Sequence, residues 1–258
     1  MSRSGERLEG KTAVVTGGGH GIGREYCRGL AREGARVVIA EVDGEAAEGL
    51  AEELEQEGLT AIGVTTDVSD EGSLQRMVGT SMEAFGSIDI LVTNAAVFST
   101  IPIARVPFGE ISPEEWDRVM EVNVKGVWLS CRAVVPVMME QNRGKIINIS
   151  SGSVFQGHGG RAHYVASKAA VLGFTKTAAR DLGDYNINVN CLAPGSTLSA
   201  EEPSSEEIAY RESRVSGRAI KRVQVPKDLV GALIFLAGEE SDFVTGHTLV
   251  VDGGKHML

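Results

Sequence analysis

Seven short apolar runs, separated by longer amphipathic segments, recur along this chain of 258 residues. Each run is nearly continuous in apolar residues, as in strands that are covered on both faces within a parallel sheet. After the first run, Ile22, Tyr26 and Leu30 recur every four residues and share one face of a predicted helix. The runs are TAVVT (12–16), RVVIA (36–40), AIGV (61–64), IDILVT (88–93), KIINIS (145–150), INVNCLA (187–193) and HTLVVD (247–252).

This alternation of strand and helix restricts the fold to a small set. Parallel strands need crossover connections, which are right-handed and place helices on the faces of the sheet. No linker, internal repeat or low-complexity tract divides the chain. We therefore predict a single α/β domain over residues 1–258, a doubly wound parallel sheet of about seven strands with helices on both faces.

Composition and charge exclude several classes of protein. The net charge of -10 argues against a nucleic-acid partner, because such binding relies on Lys and Arg neutralising phosphates. No apolar run approaches the roughly 18 residues of a membrane span, and the opening MSRSGERLEGK lacks a signal peptide's apolar stretch. We therefore expect a cytoplasmic protein with no membrane partner. Cys27, Cys131 and Cys191 lack metal-ligand spacing, so we expect buried reduced thiols and no metal site.

The stretch TGGGHGIG after the first run has the spacing T-G-x-x-x-G-x-G, through Thr16, Gly17, Gly21 and Gly23. In doubly wound sheets, ligands bind beyond the carboxyl ends of the strands. The N–H groups of such a turn and of the following helix N-terminus can then face a pyrophosphate. The turn alone is equally compatible with a tight turn that binds nothing.

The second predicted strand ends near Glu41, 18 residues after Gly23. A carboxylate there can accept both hydroxyls of an adenosine ribose and would repel a 2′-phosphate. The glycine turn carries His20 where an arginine would clamp a phosphate more strongly. Both features favour NAD over NADP, although a solvated acid at a strand end would look the same.

A tyrosine, a lysine and a serine suggest acid–base chemistry. Tyr164 and Lys168 are four residues apart on a predicted helix, so they share a face. A neighbouring ammonium lowers the pKa of a phenol from its ordinary value near 10, which allows proton exchange with an alcohol or ketone. Ser151 follows a strand and can donate to the same oxygen. Alone, the Tyr-x-x-x-Lys pair is common on ordinary surface helices.

Together these motifs resemble the short-chain dehydrogenase/reductase family. They occur in the family's order along nearly the whole chain: TGGGHGIG, DV at Asp67 and Val68, TNAA at Asn94, NVKG at Asn123, NISS at Ser151, YVASK, and APG. The resemblance implies a Rossmann-type fold and a nicotinamide cofactor.

The resemblance also implies a role for each catalytic residue. Tyr164 would be the general acid/base, and Lys168 would lower the pKa of Tyr164 and hold the nicotinamide ribose. Ser151 would polarise the substrate oxygen. Asn123 would complete a proton relay by kinking its helix around a water.

A second set of residues would hold the cofactor. Asp67 and Val68 would meet the adenine, Asn94 would tie the central strands behind the cofactor, and Pro194 and Gly195 would shape the nicotinamide pocket. The full expected set is Gly17, Gly21, Ile22, Gly23, Glu41, Asp67, Val68, Asn94, Tyr164, Lys168, Pro194, Gly195 and Thr197.

One segment is longer than the family pattern, and another interrupts the alternation of strand and helix. Residues 97–116 form a longer connection than usual, which we expect to enlarge one wall of the substrate cleft. Residues 198–218 are polar and acidic, and we predict a substrate lid that orders when cofactor and substrate bind. Its few apolar side chains would close on the substrate while its glutamates stay in solvent. A role for His158 in lining the pocket is left open.

The resulting interpretation is an NAD-dependent oxidoreductase that transfers a hydride between nicotinamide and a small secondary alcohol or ketone. One alternative is an NADP-linked 3-oxoacyl-type reductase. Another is a non-catalytic NAD-binding sensor, which should have lost Ser151, Tyr164 or Lys168. The helix around residues 113–139 and the helix after Tyr164 carry more apolar residues than one face needs. The family resemblance implies that both pair with their copies and that the C-terminal strand makes a second contact, so we expect a homotetramer. The particular substrate, the direction and the stereospecificity are not readable from the sequence.

Overall fold

The computed structural model describes residues 7–98, 101–200 and 202–257. Within these ranges, seven strands form one parallel sheet in the order β3-β2-β1-β4-β5-β6-β7. Every predicted run overlaps one of these strands, so the predicted fold class is confirmed. The strands are β1 (Thr12–Thr16), β2 (Arg36–Glu41), β3 (Ala61–Thr65), β4 (Ile90–Thr93), β5 (Gly144–Ile149), β6 (Ile187–Pro194) and β7 (Thr248–Val251).

Helices cover both faces of the sheet. The larger apolar core joins one face to the helices that carry Leu30, Leu50 and Leu233, and a second core joins the other face to those that carry Met77 and Leu129. The helices are α1 (Gly21–Arg32), α2 (Gly44–Gln56), α3 (Glu71–Phe85), α4 (Pro113–Met120), α5 (Gly126–Gln141), α6 (Ser153–Gln156), α7 (Ala162–Leu182), α8 (Ser205–Ser213) and α9 (Lys227–Ala237).

Strand β1 shows why a continuous apolar run is needed. Ala13 and Val15 pack into the larger core, whereas Val14 between them packs into the other. All three side chains are fully buried. Because successive side chains of a strand point to opposite faces, both faces of β1 must be apolar.

The chain reverses its direction of travel across the sheet after β3. It returns past β1, and β4 then pairs with the other side of β1. A crevice opens at such a switch point, beyond the carboxyl ends of the strands. The glycine turn after β1 and Asn94 after β4 therefore meet at this place.

Two further features bear on the sequence expectations. The three cysteines are buried and free. No helix within the described ranges is both long enough and apolar enough to cross a membrane. Ser99 and Thr100 of the long connection and Glu201 of the expected lid lie outside the described residues.

Candidate active site

The glycine turn after β1 exposes backbone because neighbouring chain leaves no room for side chains. A Cβ on Gly23 would collide with the Gly17 carbonyl oxygen, and one on Gly17 would lie 2.7 Å from the Ala95 Cα. Gly17 also has a φ of 64°, in the left-handed region. The Asn94 amide donates to the Gly17 carbonyl at 2.8 Å, so β4 fixes the turn as expected.

The end of β2 forms the acidic end of the same cleft. Glu41 is only 8% exposed, and its carboxylate accepts the N–H groups of Gly19 at 3.1 Å and Val42 at 2.9 Å. Next to it, Asp43 contacts the His20 ring at 3.2 Å. Glu41 Oε1 also accepts the Asp43 N–H at 3.4 Å, whereas Oε2 accepts only that of Gly19. Oε2 therefore keeps a lone pair that can accept a ribose hydroxyl while the backbone bonds hold the carboxylate in place.

The side chains after β5 and on α7 converge in the middle of the cleft. The Ser153 hydroxyl donates to the Ser151 hydroxyl oxygen at 2.9 Å, which leaves the Ser151 proton free to donate. Ser151 also hydrogen-bonds to Tyr164, and this bond by itself lowers the pKa of Tyr164. Lys168 is buried one turn further along α7 and donates to the Ile149 carbonyl at 2.9 Å. The structure therefore brings the three predicted side chains together.

The pKa of Tyr164 shifts in the direction opposite to the sequence expectation. Burial raises it, and the Ser151 hydrogen bond and the Arg161 charge oppose that rise only in part. Burial also lowers the pKa of Lys168 from 10.5 to about 8. Desolvation disfavours both the phenolate and the ammonium, and it outweighs the attraction expected between them.

Asn123 lies behind the cleft rather than on its wall. It is fully buried within a π-helical turn, Glu121–Lys125, that separates α4 from α5. Its amide oxygen accepts the Val97 N–H at 2.8 Å, and its amide nitrogen donates to the Ser167 hydroxyl at 3.2 Å. Ser167 in turn donates to the Tyr164 carbonyl at 2.8 Å. The expected irregularity in the helix is present, and it links Asn123 to the backbone of the tyrosine helix.

The end of β6 forms the remaining wall of the cofactor side. A Cβ on Gly195 would lie 2.6 Å from the Asp252 Cβ, so only glycine fits beside the turn after β7. Thr197 is buried, and its hydroxyl donates to the Gly195 carbonyl at 3.2 Å. Asp67, after β3, is exposed and accepts the Ser69 N–H at 2.8 Å.

One cleft of about 950 Å³ collects almost all of the predicted site. Every expected cofactor-binding residue and Ser151 line it, and Asn123 does not. Phe98 and Ile101 from the long connection also line it, as expected for an enlarged wall. Phe98 stacks on the Tyr164 ring, with 4.4 Å between the ring centroids.

Described residues of the predicted lid segment, 198–218, border the cleft, and their closure over a substrate stays a prediction. The centre of the segment is mostly the helix α8. Of its apolar residues, Tyr210 lines the cleft, whereas Ile208 is exposed outside it. Glu207 lines the cleft too and pairs with Arg211 at 3.3 Å, rather than staying in solvent. Packing of α8 over the cleft explains both differences.

Sequence reasoning missed a group of cationic residues at the far side of Tyr164. Arg161, Arg211, Arg214 and Lys255 all line the cleft, together with His158. Arg161 lies three residues before Tyr164, a helical spacing that could have drawn attention to it. No local pattern connects it with the others, which come from α8 and the segment after β7.

Comparisons with known proteins agree with this geometry. A sorbitol dehydrogenase from Cereibacter sphaeroides is 38% identical over 97% of this chain and 99% of its own length. A 3-oxoacyl-acyl-carrier-protein reductase from Thermotoga maritima is 36% identical over 96% of this chain and 98% of its own length. The crystal structure of levodione reductase superposes with a TM-score of 0.88 at 29% identity, covering 96% of this chain and 98% of that one.

The model of the family described as short chain dehydrogenase matches residues 11–207. This range contains the glycine turn, Glu41 and the Ser151, Tyr164 and Lys168 group. A shared fold, a family match over most of the chain and this assembled group lead to one conclusion: the protein belongs to the short-chain dehydrogenase family and is an oxidoreductase that acts on a CH–OH group.

Proposed function

We propose that this protein is an NAD-dependent dehydrogenase that interconverts a small secondary alcohol and its ketone. The observation that carries the proposal is the meeting of Ser151, Tyr164 and Lys168 in one cleft with the glycine turn and Glu41. Acid–base groups beside a dinucleotide-sized groove suit hydride transfer. The bared backbone at Gly17 and Gly23 fits a pyrophosphate, because side chains there would collide with neighbouring chain.

The bound nicotinamide would accept or supply the hydride. The protein's own part is to position the substrate oxygen and move its proton. Ser151 donates a hydrogen bond to that oxygen, and Tyr164 takes or gives its proton. Lys168, held by the Ile149 carbonyl, lies one helical turn from Tyr164, where its ammonium can bind ribose hydroxyls. Asn123 and Ser167 hold the backbone of α7 through the bond to the Tyr164 carbonyl.

Two carboxylates support NAD rather than NADP. Glu41 and Asp43 both line the cleft at the end of β2, and His20 lies beside Asp43. A 2′-phosphate near these acids would meet like charge without an arginine or lysine from the turn. We propose that the ribose hydroxyls bind Glu41 instead.

A second candidate is an NADP-linked reduction of 3-oxoacyl groups. The Thermotoga maritima relative, named for that activity, favours it. Glu41 weighs against it. A non-catalytic cofactor sensor is disfavoured because Ser151, Tyr164 and Lys168 are all retained and assembled.

Steady-state kinetics with each cofactor test the proposal. Secondary alcohols and ketones, including sorbitol and levodione as neutral probes, are assayed with NAD(H) and NADP(H). We expect kcat/KM to be at least about tenfold higher with NAD(H), since one charge-assisted contact commonly contributes this much. Equal or higher values with NADP(H) would overturn the cofactor assignment. Failure of both cofactors to bind would overturn the function itself.

We also propose a homotetramer whose lid segment, residues 198–218, closes over bound substrate. Exposed apolar side chains support paired-helix and C-terminal contacts: Trp116 on α4, Trp128 on α5, Phe235 on α9, Phe243, and Leu249 on β7. Light scattering should give a mass near four times 27.3 kDa. A monomer at micromolar concentration would refute the assembly.

A further inference from the structure

The substrate side of the cleft carries positive charge, although the chain as a whole has a net charge of -10. Arg161 precedes α7 and lies about one helical turn before Tyr164, Arg214 follows α8, and Lys255 follows β7. All three line the cleft. Three separate parts of the fold thus direct cations to one place, against the overall charge.

None of these three cations forms an ion pair among the described residues, although the charge of Asp252 acts on Lys255. Two acids lie nearby, and both are engaged: Glu207 pairs with Arg211, and Asp252 accepts from the His256 ring at 2.6 Å. The structure shows no ion pair for Arg161, Arg214 or Lys255 within the described ranges. Uncompensated cations in a partly buried cleft are costly and favour the binding of an anion.

The cations are close enough to influence one another. Arg214 Nη2 lies 2.9 Å from His158 Nε2, and burial followed by the charges of Arg214, Arg161 and Lys255 lowers the pKa of His158. His158 is therefore a neutral acceptor for Arg214 rather than a further charge at neutral pH. It orients the guanidinium without satisfying its charge.

Aromatic rings connect this cluster to the reacting centre. The Arg161 guanidinium lies 5.0 Å from the Phe98 ring centroid, and Phe98 stacks on Tyr164. On the other side, Arg214 lies 5.9 Å from the Tyr210 ring centroid. Both guanidinium groups lie within cation–π distance of a ring, and the planar fork of arginine suits carboxylate and phosphate oxygens. A substrate whose oxygen meets Tyr164 would extend towards these arginines.

We propose that the substrate carries an oxyanion, a carboxylate or phosphate, in addition to its alcohol or ketone, and that Arg161 and Arg214 bind it with support from Lys255. The proposal rests on the proposed function, because it assumes that the reacting oxygen lies at Tyr164. It narrows the substrate class to hydroxy acids, keto acids or phosphorylated hydroxy ketones. Polyols and neutral ketones would bind more weakly.

Charge-matched pairs of ketones test this inference by calorimetry on the enzyme saturated with NAD, which cannot reduce them. The carboxylate pairs are 4-oxopentanoate and 5-oxohexanoate, each with its methyl ester. The phosphate pair is dihydroxyacetone phosphate with dihydroxyacetone. We expect one type of anion to bind at least about tenfold tighter than its neutral partner, and the pair that shows the difference identifies the oxyanion.

Variants locate the effect. Arg161→Gln and Arg214→Gln should each reduce the preference for the anion to less than about threefold while leaving the affinity for NAD unchanged. Arg76→Gln, at an exposed arginine on α3, should leave both unchanged.

Several outcomes would overturn the inference. Equal affinity within every pair, including no detectable binding of either member, would do so. A retained preference in both arginine variants, or a loss of NAD affinity in them instead, would assign the cluster another role. The affinity for NAD is measured first, without any ketone. An enzyme that does not bind NAD would contradict the proposed function, and with it this inference.

Discussion

The two ends of the cleft are formed by different kinds of chemical group. At the end that suits adenosine, backbone groups of the glycine turn and one carboxylate on β2, Glu41, are fixed by short hydrogen bonds. At the other end, long side chains such as Arg161 and Arg214 extend from separate elements and rest on aromatic rings. The first end is rigid and acidic, whereas the second is cationic and adaptable. The difference indicates that cofactor recognition is built into the sheet and substrate recognition is added by segments around it.

The largest expected effect lies where the two ends meet. Tyr164→Phe keeps the ring that stacks on Phe98 but removes the exchangeable proton. We expect kcat to fall about 100- to 10,000-fold while the affinity for NAD is retained, measured by turnover and by calorimetry. Tyr185→Phe, at an exposed tyrosine, serves as the control. Retention of more than a tenth of the activity would show that Tyr164 is not the acid–base group.

The next effect concerns the acidic end alone. Glu41→Ala combined with Val42→Arg removes the carboxylate and places a cation at a position that is 55% exposed. We expect the ratio of kcat/KM for NAD to that for NADP to fall about 10- to 100-fold. The preference between anionic and neutral ketones should stay the same, because the two ends are independent. Glu48→Ala on α2 is the matched control, and a changed anion preference would show that the ends are coupled.

The smallest effect concerns the free energy that is lost when the ammonium of Lys168 is buried between the two ends. The pKa of Lys168 is about 8 in the folded protein and near 10.4 when unfolded. Between these values the unfolded chain binds more protons, so the free energy of unfolding rises with pH. Below pH 8 the folded protein carries the full cost of a buried ammonium, which is relieved as the pH rises.

Comparison of the wild type with Lys168→Met isolates the contribution of Lys168 to the pH dependence of the free energy of unfolding. From pH 7.5 to 9.5, the free energy of unfolding of the wild type should rise by about 2 kcal/mol relative to the variant. Urea unfolding at fixed protein concentration measures it. Lys176→Met, at an exposed lysine on α7, should reproduce the wild-type pH dependence. Parallel curves for wild type and Lys168→Met would contradict the lowered pKa.

From the sequence it was possible to predict which residues lie together at one end of the cleft, but not the cationic group at the other end. Gly17, Gly23 and Glu41 follow strands at fixed offsets, so their positions are set by local chain geometry. Arg161 and Arg214 are far apart in the sequence and meet only because α8 packs over the cleft beside the start of α7. Closure of the lid on a substrate stays a prediction, but the structure shows that Tyr210 lines the cleft and Ile208 is exposed outside it, because helix formation decides which side chains of α8 face inward.

By itself, the sequence determined the seven-stranded parallel sheet, the glycine turn and the Ser151, Tyr164 and Lys168 group. Periodicity and spacing are local properties that the chain carries in order. Tertiary structure alone decided the direction of the Tyr164 pKa shift and the gathering of cations beside it. Both depend on burial and on charges contributed by distant segments, because desolvation and electrostatic interaction act through space rather than along the chain.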